Sequence, residues 1–379
     1  MINNFSKFAV LGLCLSMLSF SSCNVIEMRD AVEETTRGEA STTMMLAPAE
    51  RANDVEIRTE DAVSEVGETE QKKTLSFTAT GDIRIDESMI ADAANRASEG
   101  STYSFLKIYS GVYRAVHDAD VAVGRYSAAA APYNCTDKMQ RTPIESLAAL
   151  SELGFEALDT TGAELSSKYA DDMTEYDIVN LHSSQTGESS VYTVDRDGVT
   201  VAFLATDGSV KETMTDDIAY AEEIADVVVV SADWQDDMST EDKRSLALTM
   251  AEAGADIIVG SGETLEGVEW LHVGDDEPTL AVYSLGNFVA TADSADELCG
   301  GILSLDITLC NGELSLENVS VDPIIIHYNK SIRNYQIFEL CSYTDEISAT
   351  HGVEGVDVSS LKEKMYSLLD GFLPSDFRN

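Results

Sequence analysis

TLAVYSLGNF, residues 279–288, is the stretch from which this chain is best read. It reads as one strand-like run. Its alternation places Tyr283, Leu285 and Phe288 in a sheet or turn, and Gly286 supplies a tight bend. Histidines are sparse around it: His117, His182, His272, His327 and His351 are the full set, no two closer than 24 positions. No imidazole cluster is therefore local in the sequence.

Outward from this run, apolar strands alternate with helical segments. LSFTAT (75–80) is a short strand ending at Gly81-Asp82, ADVAVG (119–124) a second and FEALDT (155–160) a third. TPIESLAALSELG (142–154) reads as a helix with Thr142 as N-cap, Pro143 in the first turn, Glu145 at the third position and Gly154 as its stop. YDIVNL (176–181) precedes the hairpin VYTVDRDGVTVAFLAT (191–206), which turns at Asp197-Gly198. A helix over 218–225 leads into DVVVVSAD (226–233), a fully apolar strand of the buried type. STEDKRSLALTMAEAG (239–254) is a helix capped by Ser239 and ended by Gly254. ADIIVG (255–260) and the pair ILSLDITLC / ELSLENVSV, joined at Asn311-Gly312, complete an α/β domain with largely buried sheets.

Asp82, Asp159, Asp207 and Asp233 each fall at or just past the carboxyl end of a strand, the edge at which α/β sheets bind ligands. Carboxylates gathered there suit a hard cation such as Mg²⁺ or Ca²⁺. Asp is equally a common turn and cap residue, so the pattern also has a purely local explanation.

The charge narrows the partners. Among 379 residues, 68 Asp and Glu face 24 Lys and Arg, a formal charge of −44. Such a surface repels polyanions, which excludes nucleic acid and anionic membrane faces as direct partners. It suits cations, cationic proteins or neutral surfaces, and it keeps an exposed protein soluble. The first 23 residues, MINNFSKFAVLGLCLSMLSFSSC, have the layout of a secretory signal: Lys7, then an apolar run from Phe8 to Phe20 too short to span a bilayer. Ser21 and Ser22 before Cys23 resemble a bacterial lipobox, so Cys23 is expected to carry lipid and to anchor an extracytoplasmic protein to the bacterial cell membrane. An ordinary cleaved signal is the alternative.

Residues 24–73 hold 13 acidic and 6 basic side chains and no aromatic ones, and read as an acidic flexible tether. A domain over 74–323 and a C-terminal extension over 324–379 with a terminal helix follow. Of the cysteines outside the signal, Cys135, Cys299, Cys310 and Cys341, one pair is excluded from bonding. Cys299 and Cys310 end a continuous strand of roughly 36 Å, whereas a disulfide needs Cα atoms within about 7 Å.

Six blocks carry a family resemblance: TATGDI (78–83), ADVAVGRYS (119–127), LGFEALDTTGAE (153–164), ADVVVVSADWQ (225–235), AGADIIVGSGETLEGVE (253–269) and YSLGNF (283–288). In order and spacing they resemble the CapA family of poly-γ-glutamate capsule-synthesis proteins over roughly Thr74–Pro323. The resemblance implies a metallophosphatase-like α/β/β/α sandwich with mixed sheets and a metal site at the strand ends. Residue by residue the implied site is altered. Asp82 stands for the first-strand aspartate. The family's Asn-Leu-Glu is here Arg125-Tyr126-Ser127, and its Ala-Asn-Asn-His is Asp159-Thr160-Thr161-Gly162. Its His-Trp-Gly is Asp233-Trp234-Gln235, and its Gly-His-x-His is Gly260-Ser261-Gly262-Glu263-Thr264. Glu269 matches the later glutamate, and Asn287 stands in YSLGNF.

A dinuclear phosphoesterase needs about six protein ligands, imidazoles included, to lower the pKa of a bridging water. Arg125 at the block of a lost ligand repels a cation and can anchor an anion. Three readings follow. In the favoured one, the chain is a CapA-like surface lipoprotein with a degenerate metal site and no cofactor. It then binds or assembles through Arg125, Trp234, Glu269 and Asn287, alongside envelope or capsule-polymer machinery. In the second it is an active metal-dependent hydrolase, with Asp82 and Asp233 as catalytic candidates and Asp82, Asp159, Asp233 and Glu263 as a carboxylate site for a divalent metal. In the third it is a structural surface lipoprotein.

Overall fold

The computed structural model describes residues 72–127, 142–163, 167–182, 191–208, 211–234, 238–274, 277–292, 294–353 and 356–372. The expected signal peptide with Cys23, the tether up to residue 71, and Cys135 lie outside these residues. Strand β1 (Lys72–Ile83) begins two residues before the boundary expected at Thr74. Leu75, Phe77 and Ala79 on alternate positions enter one apolar core. Helix α1 (Glu87–Asn95) follows, with the Asp86 carboxylate accepting from the N–H groups of Ser88 and Met89. A short 3₁₀ turn, Phe105–Lys107, and α2 (Tyr113–His117) lead to β2 (Val121–Tyr126).

Next come α3 (Glu145–Leu153), β3 (Phe155–Asp159), α4 (Ser167–Glu175) and β4 (Val179–Leu181). Thr142 does not cap α3 as expected. It is buried, and its hydroxyl donates to the Ile85 carbonyl at 3.4 Å. The hairpin β5 (Tyr192–Arg196) to β6 (Val199–Thr206) turns where expected, with Asp197 and Gly198 both at positive φ. Helix α5 (Lys211–Ile224) is longer than the sequence suggests. In β7 (Val227–Ala232), Val227 and Val229 enter the core reached by β1, whereas Val228 and Val230 enter a second core on the other face. A strand buried on both faces needs this uninterrupted apolar run. Helix α6 (Thr240–Glu252) is capped by the Ser239 hydroxyl, which accepts from the Asp242 N–H.

The chain closes with β8 (Ile257–Gly260), β9 (Val268–Leu271), β10 (Thr279–Val282), β11 (Asn287–Val289), β12 (Cys299–Cys310), β13 (Glu313–Asn329), β14 (Asn334–Glu339), α7 (Asp345–Ser348) and α8 (Val358–Phe372). The expected boundary after residue 323 falls inside β13, so the C-terminal segment continues the domain's own sheet.

Two sheets result. The first runs β14-β13-β12-β1-β2-β3-β4, with β11 also pairing with β1; the second runs β5-β6-β7-β8-β10-β9. Both contain parallel and antiparallel pairs. Their facing sides share the core that holds Phe77, Val123, Phe203, Val229, Ile257 and Leu303. Burying a side chain such as Phe77 is worth about 1.5–3 kcal/mol relative to exposure. Helices α1 to α3 cover the outer face of the first sheet, and α5 and α6 that of the second. This is the expected α/β/β/α sandwich. Among the described residues, no helix is long and apolar enough to cross a membrane.

The decapeptide is not one strand. Residues 279–282 pair with β8 and β9 in the second sheet, and Asn287 pairs with Asp82 in the first. The crossing turns at Gly286, φ +65, whose N–H donates to the Ser284 hydroxyl at 3.0 Å. There the Gly286 carbonyl accepts from the Asp82 N–H at 2.9 Å. A Cβ on Gly81 would stand 1.8 Å from that carbonyl oxygen, so the first and last family blocks meet backbone to backbone. Tyr283, Leu285 and Phe288 are buried as expected.

Candidate functional site

The carboxyl ends of β1, β2, β3, β7 and β8 converge on one edge of the sandwich. Asp82 lies at the end of β1, directly across from Arg125 on β2, and Arg125 in turn stands across from Asp159 on β3. Asp233 follows β7 in the other sheet. The Arg125 side chain, 14% exposed, bridges them: Nη1 donates to Asp82 Oδ2 at 2.9 Å, and Nη2 to Asp233 Oδ1 at 2.5 Å and to the Thr161 carbonyl at 3.1 Å. Asp233 Oδ1 also accepts from the Ser261 hydroxyl at 3.1 Å.

Asp159, fully buried, has both carboxylate oxygens engaged: Oδ1 accepts from the Thr161 N–H at 2.8 Å and Oδ2 from the Ser231 hydroxyl at 2.6 Å. At the rim, Arg84 pairs with Glu263 and donates to Asn287 Oδ1 at 3.2 Å. The Asn287 amide in turn donates to the carbonyls of Glu263 and Glu297.

Burial dominates the electrostatics. Asp82 is 5% exposed, and desolvation pushes its pKa up to about 6 against the opposing pull of Arg125 and Arg84. Asp233 is raised for the same reason, with Arg125 opposing. For Arg125 burial works against the charge, but Asp82, Asp233 and Asp159 together outweigh it and lift its pKa further. Three buried polar atoms here lack a protein partner: Thr80 Oγ1, Asp82 Oδ1 and Arg125 Nε. Thr80, Asp82 and Arg125 all line an internal cavity of about 20 Å³, floored by Leu181, Phe203, Val229 and Val259.

The sequence therefore named five residues that meet here: Asp82, Arg125, Asp159, Asp233 and, through Arg84, Asn287. Trp234 is buried beside them, its N–H donating to Ser261 Oγ and its indole to the Tyr283 carbonyl at 2.7 Å. Glu263 sits at the rim, paired with Arg84. Glu269 lies apart, held by Arg244 at 2.9 Å and the Tyr283 hydroxyl at 2.6 Å. His182 follows β4 and is exposed, while His327 and His351 pack against each other, both buried, with ring centres 4.8 Å apart. Sequence reading missed Arg84, Thr161, Ser231 and Ser261. Ser231 carried a signal, as the one polar residue within the apolar run of β7. Among the described residues, no group of three or more His, Cys, Asp or Glu side chains is arranged to hold a metal ion.

The sequence over residues 168–292 matches the family described as bacterial capsule synthesis protein PGA_cap. Over these residues the chain resembles this capsule synthesis family. The match takes in α4 through β11, and thus both the Asp233 and the YSLGNF sides of the site. Among solved structures, the chain is similar to a hypothetical protein from Thermus thermophilus. That likeness has 13% identity and a TM-score of 0.42, covering 66% of this chain and 98% of the other. Chaetomium thermophilum Vps29 has 10% identity and a TM-score of 0.25, covering 57% of this chain and 94% of its own. Both scores are too low to carry a structural or functional argument. No curated protein matches the sequence.

Proposed function

We propose that this protein is a non-hydrolytic surface lipoprotein that binds or assembles components of an envelope or capsule polymer system. One observation carries the reading: the Arg125 guanidinium lies between Asp82 and Asp233, where a divalent cation would need both carboxylates free. The donor set does not fit the metal pair implied by the fold family. Both oxygens of Asp159 are held by protein donors, Glu263 and Asn287 are held by Arg84, and the positions of the family's histidines carry Gly162, Asp233, Ser261 and Glu263. No bridging hydroxide can be positioned by such a set.

The acidic surface argues against a direct grip on an anionic polymer, so contact would run through cationic partner proteins or bridging cations. The Ser-Ser-Cys end of the apolar N-terminal run supports anchoring through Cys23. The test of the non-hydrolytic reading is turnover of p-nitrophenyl phosphate and bis-p-nitrophenyl phosphate with Mn²⁺, Zn²⁺ and Mg²⁺. No metal-dependent turnover is expected. Turnover in the wild type that vanishes in Asp82→Asn would establish the hydrolase instead. For the anchor, Cys23→Ser should release the protein from the membrane fraction or leave an unprocessed precursor, and wild-type fractionation would remove that part of the proposal.

A further inference from the structure

We infer that Arg125 is the resident cation of a carboxylate site, tethered in the place between Asp82 and Asp233 that a divalent ion takes once this side chain is removed. This rests on the non-hydrolytic reading and specifies how the site is kept closed.

Charge requires a cation here. Asp82 and Asp159 are buried and Asp233 is partly so, and the Arg125 guanidinium acts on all three, with Arg84 adding a weaker pull on Asp82. Removing a charge from such a group leaves the others uncompensated, which a low-dielectric site does not tolerate without a proton, another cation or local unfolding. Guanidinium geometry matches the task only in part. Its planar fork reaches one oxygen of each of two carboxylates and a backbone carbonyl. Asp82 Oδ1 and Thr80 Oγ1, both deeply buried, remain without a protein partner beside the cavity of about 20 Å³. That volume accommodates one water, which would complete Thr80, Asp82 and Arg125 Nε together. With the arginine side chain gone, the cleared space adjoins Asp82 Oδ1 and Oδ2, Asp233 Oδ1 and the Thr161 carbonyl, an all-oxygen set suited to a hard divalent ion.

The tether has a physical consequence. Arg125 joins Asp82 of the first sheet to Asp233 beside the second, so this edge of the sandwich is held by a side chain of the protein itself.

The experiment uses the full chain with Mn²⁺ as probe, comparing wild type, Arg125→Ala, Arg125→Lys and the double variant Arg125→Ala/Asp82→Asn. Nonspecific screening of the −44 charge is common to all four, so the differences between them are read. The Arg125→Ala protein should melt at lower temperature than wild type, regain stability in Mn²⁺ and bind the ion at least about tenfold more tightly than wild type. Arg125→Lys, which keeps a tethered cation, and the double variant should not respond. If Arg125→Ala folds only when Mn²⁺ is present, the inference stands; if it folds and gains no Mn²⁺ affinity, or fails to fold in either condition, the inference is overturned. Mn²⁺ binding by wild type that Asp82→Asn abolishes would overturn the non-hydrolytic reading itself, a result separate from either of these.

Discussion

Replacing Asp82 with Asn should change how stability depends on pH more than it changes stability at any single pH. Burial lifts the Asp82 pKa from 3.8 to about 6. The folded state therefore binds this proton more tightly than the unfolded chain does, and the stabilisation is fully present below the unfolded value. It is lost as pH rises through the interval up to about 6 and is constant above it. The rise from 3.8 to about 6 corresponds to about 3 kcal/mol. Asn is neutral throughout and its side-chain oxygen still accepts from Arg125 Nη1, so the variant lacks this dependence, and the pull of Arg125 on the ionised carboxylate is already contained in the raised pKa. Urea unfolding followed by fluorescence of buried Trp234, with an unchanged m-value, supplies the free energies. Wild-type stability minus variant stability should fall across the interval. A difference that is constant, or that rises with pH, would refute the reasoning, because it would mean that the pairing with Arg125 outweighs burial.

His327 should act with the opposite sign. Burial lowers its pKa to about 4, so its contribution is present above the ordinary value of 6.5 and is lost as pH falls toward 4, and His327→Gln should flatten the acid limb of the unfolding curve. Gly81→Ala should cost more than about 4 kcal/mol, because the new Cβ meets backbone rather than a movable side chain; a soluble variant with a wild-type melting temperature would contradict the sheet crossing. Among the described cysteines, exposed Cys341 should react with a thiol reagent in the native state, while Cys299, buried with its thiol pushed up to about 12, should react only on unfolding. Mass spectrometry showing a Cys299–Cys310 disulfide would contradict β12, which holds the two at opposite ends of one strand.

Much of the architecture was legible because faces are written in periodicity. The alternation in β1 and β7, the left-handed turn residues Asp197-Gly198 and Asn311-Gly312, and the Ser239 cap are local signals that survive folding. Partnership is not local. Arg125 was visible as a charge at a strand end, but its two carboxylates lie 43 and 108 positions away, and only the sheet order brings them together. The same limit explains why the decapeptide reads as a single strand. Apolar side chains stand on both sides of the crossing, so little in the pattern marks the transfer from one sheet to the other. Only Ser284 and Gly286 hint at it. Thr142 was misread for a related reason. Its cap-like position before Pro143 competes with a tertiary acceptor, the Ile85 carbonyl, that no sequence window contains.

The placement of β1 bears on the order in which this protein can form during synthesis. It is the first described strand to leave the ribosome and lies inside its sheet, between β2 and β12, with β11 at its end. Its pairing with β2 becomes available early, but its other edge faces partners made roughly two hundred residues later, some tens of seconds at about 5–20 residues per second. Through that interval the nascent chain has no native partner for one side of its own central strand and no turn at Gly286 to tie the sheets together. The first sheet can thus be completed around β1 only late in synthesis, and a holding chaperone that shields β1 should matter most while the middle of the chain is being made.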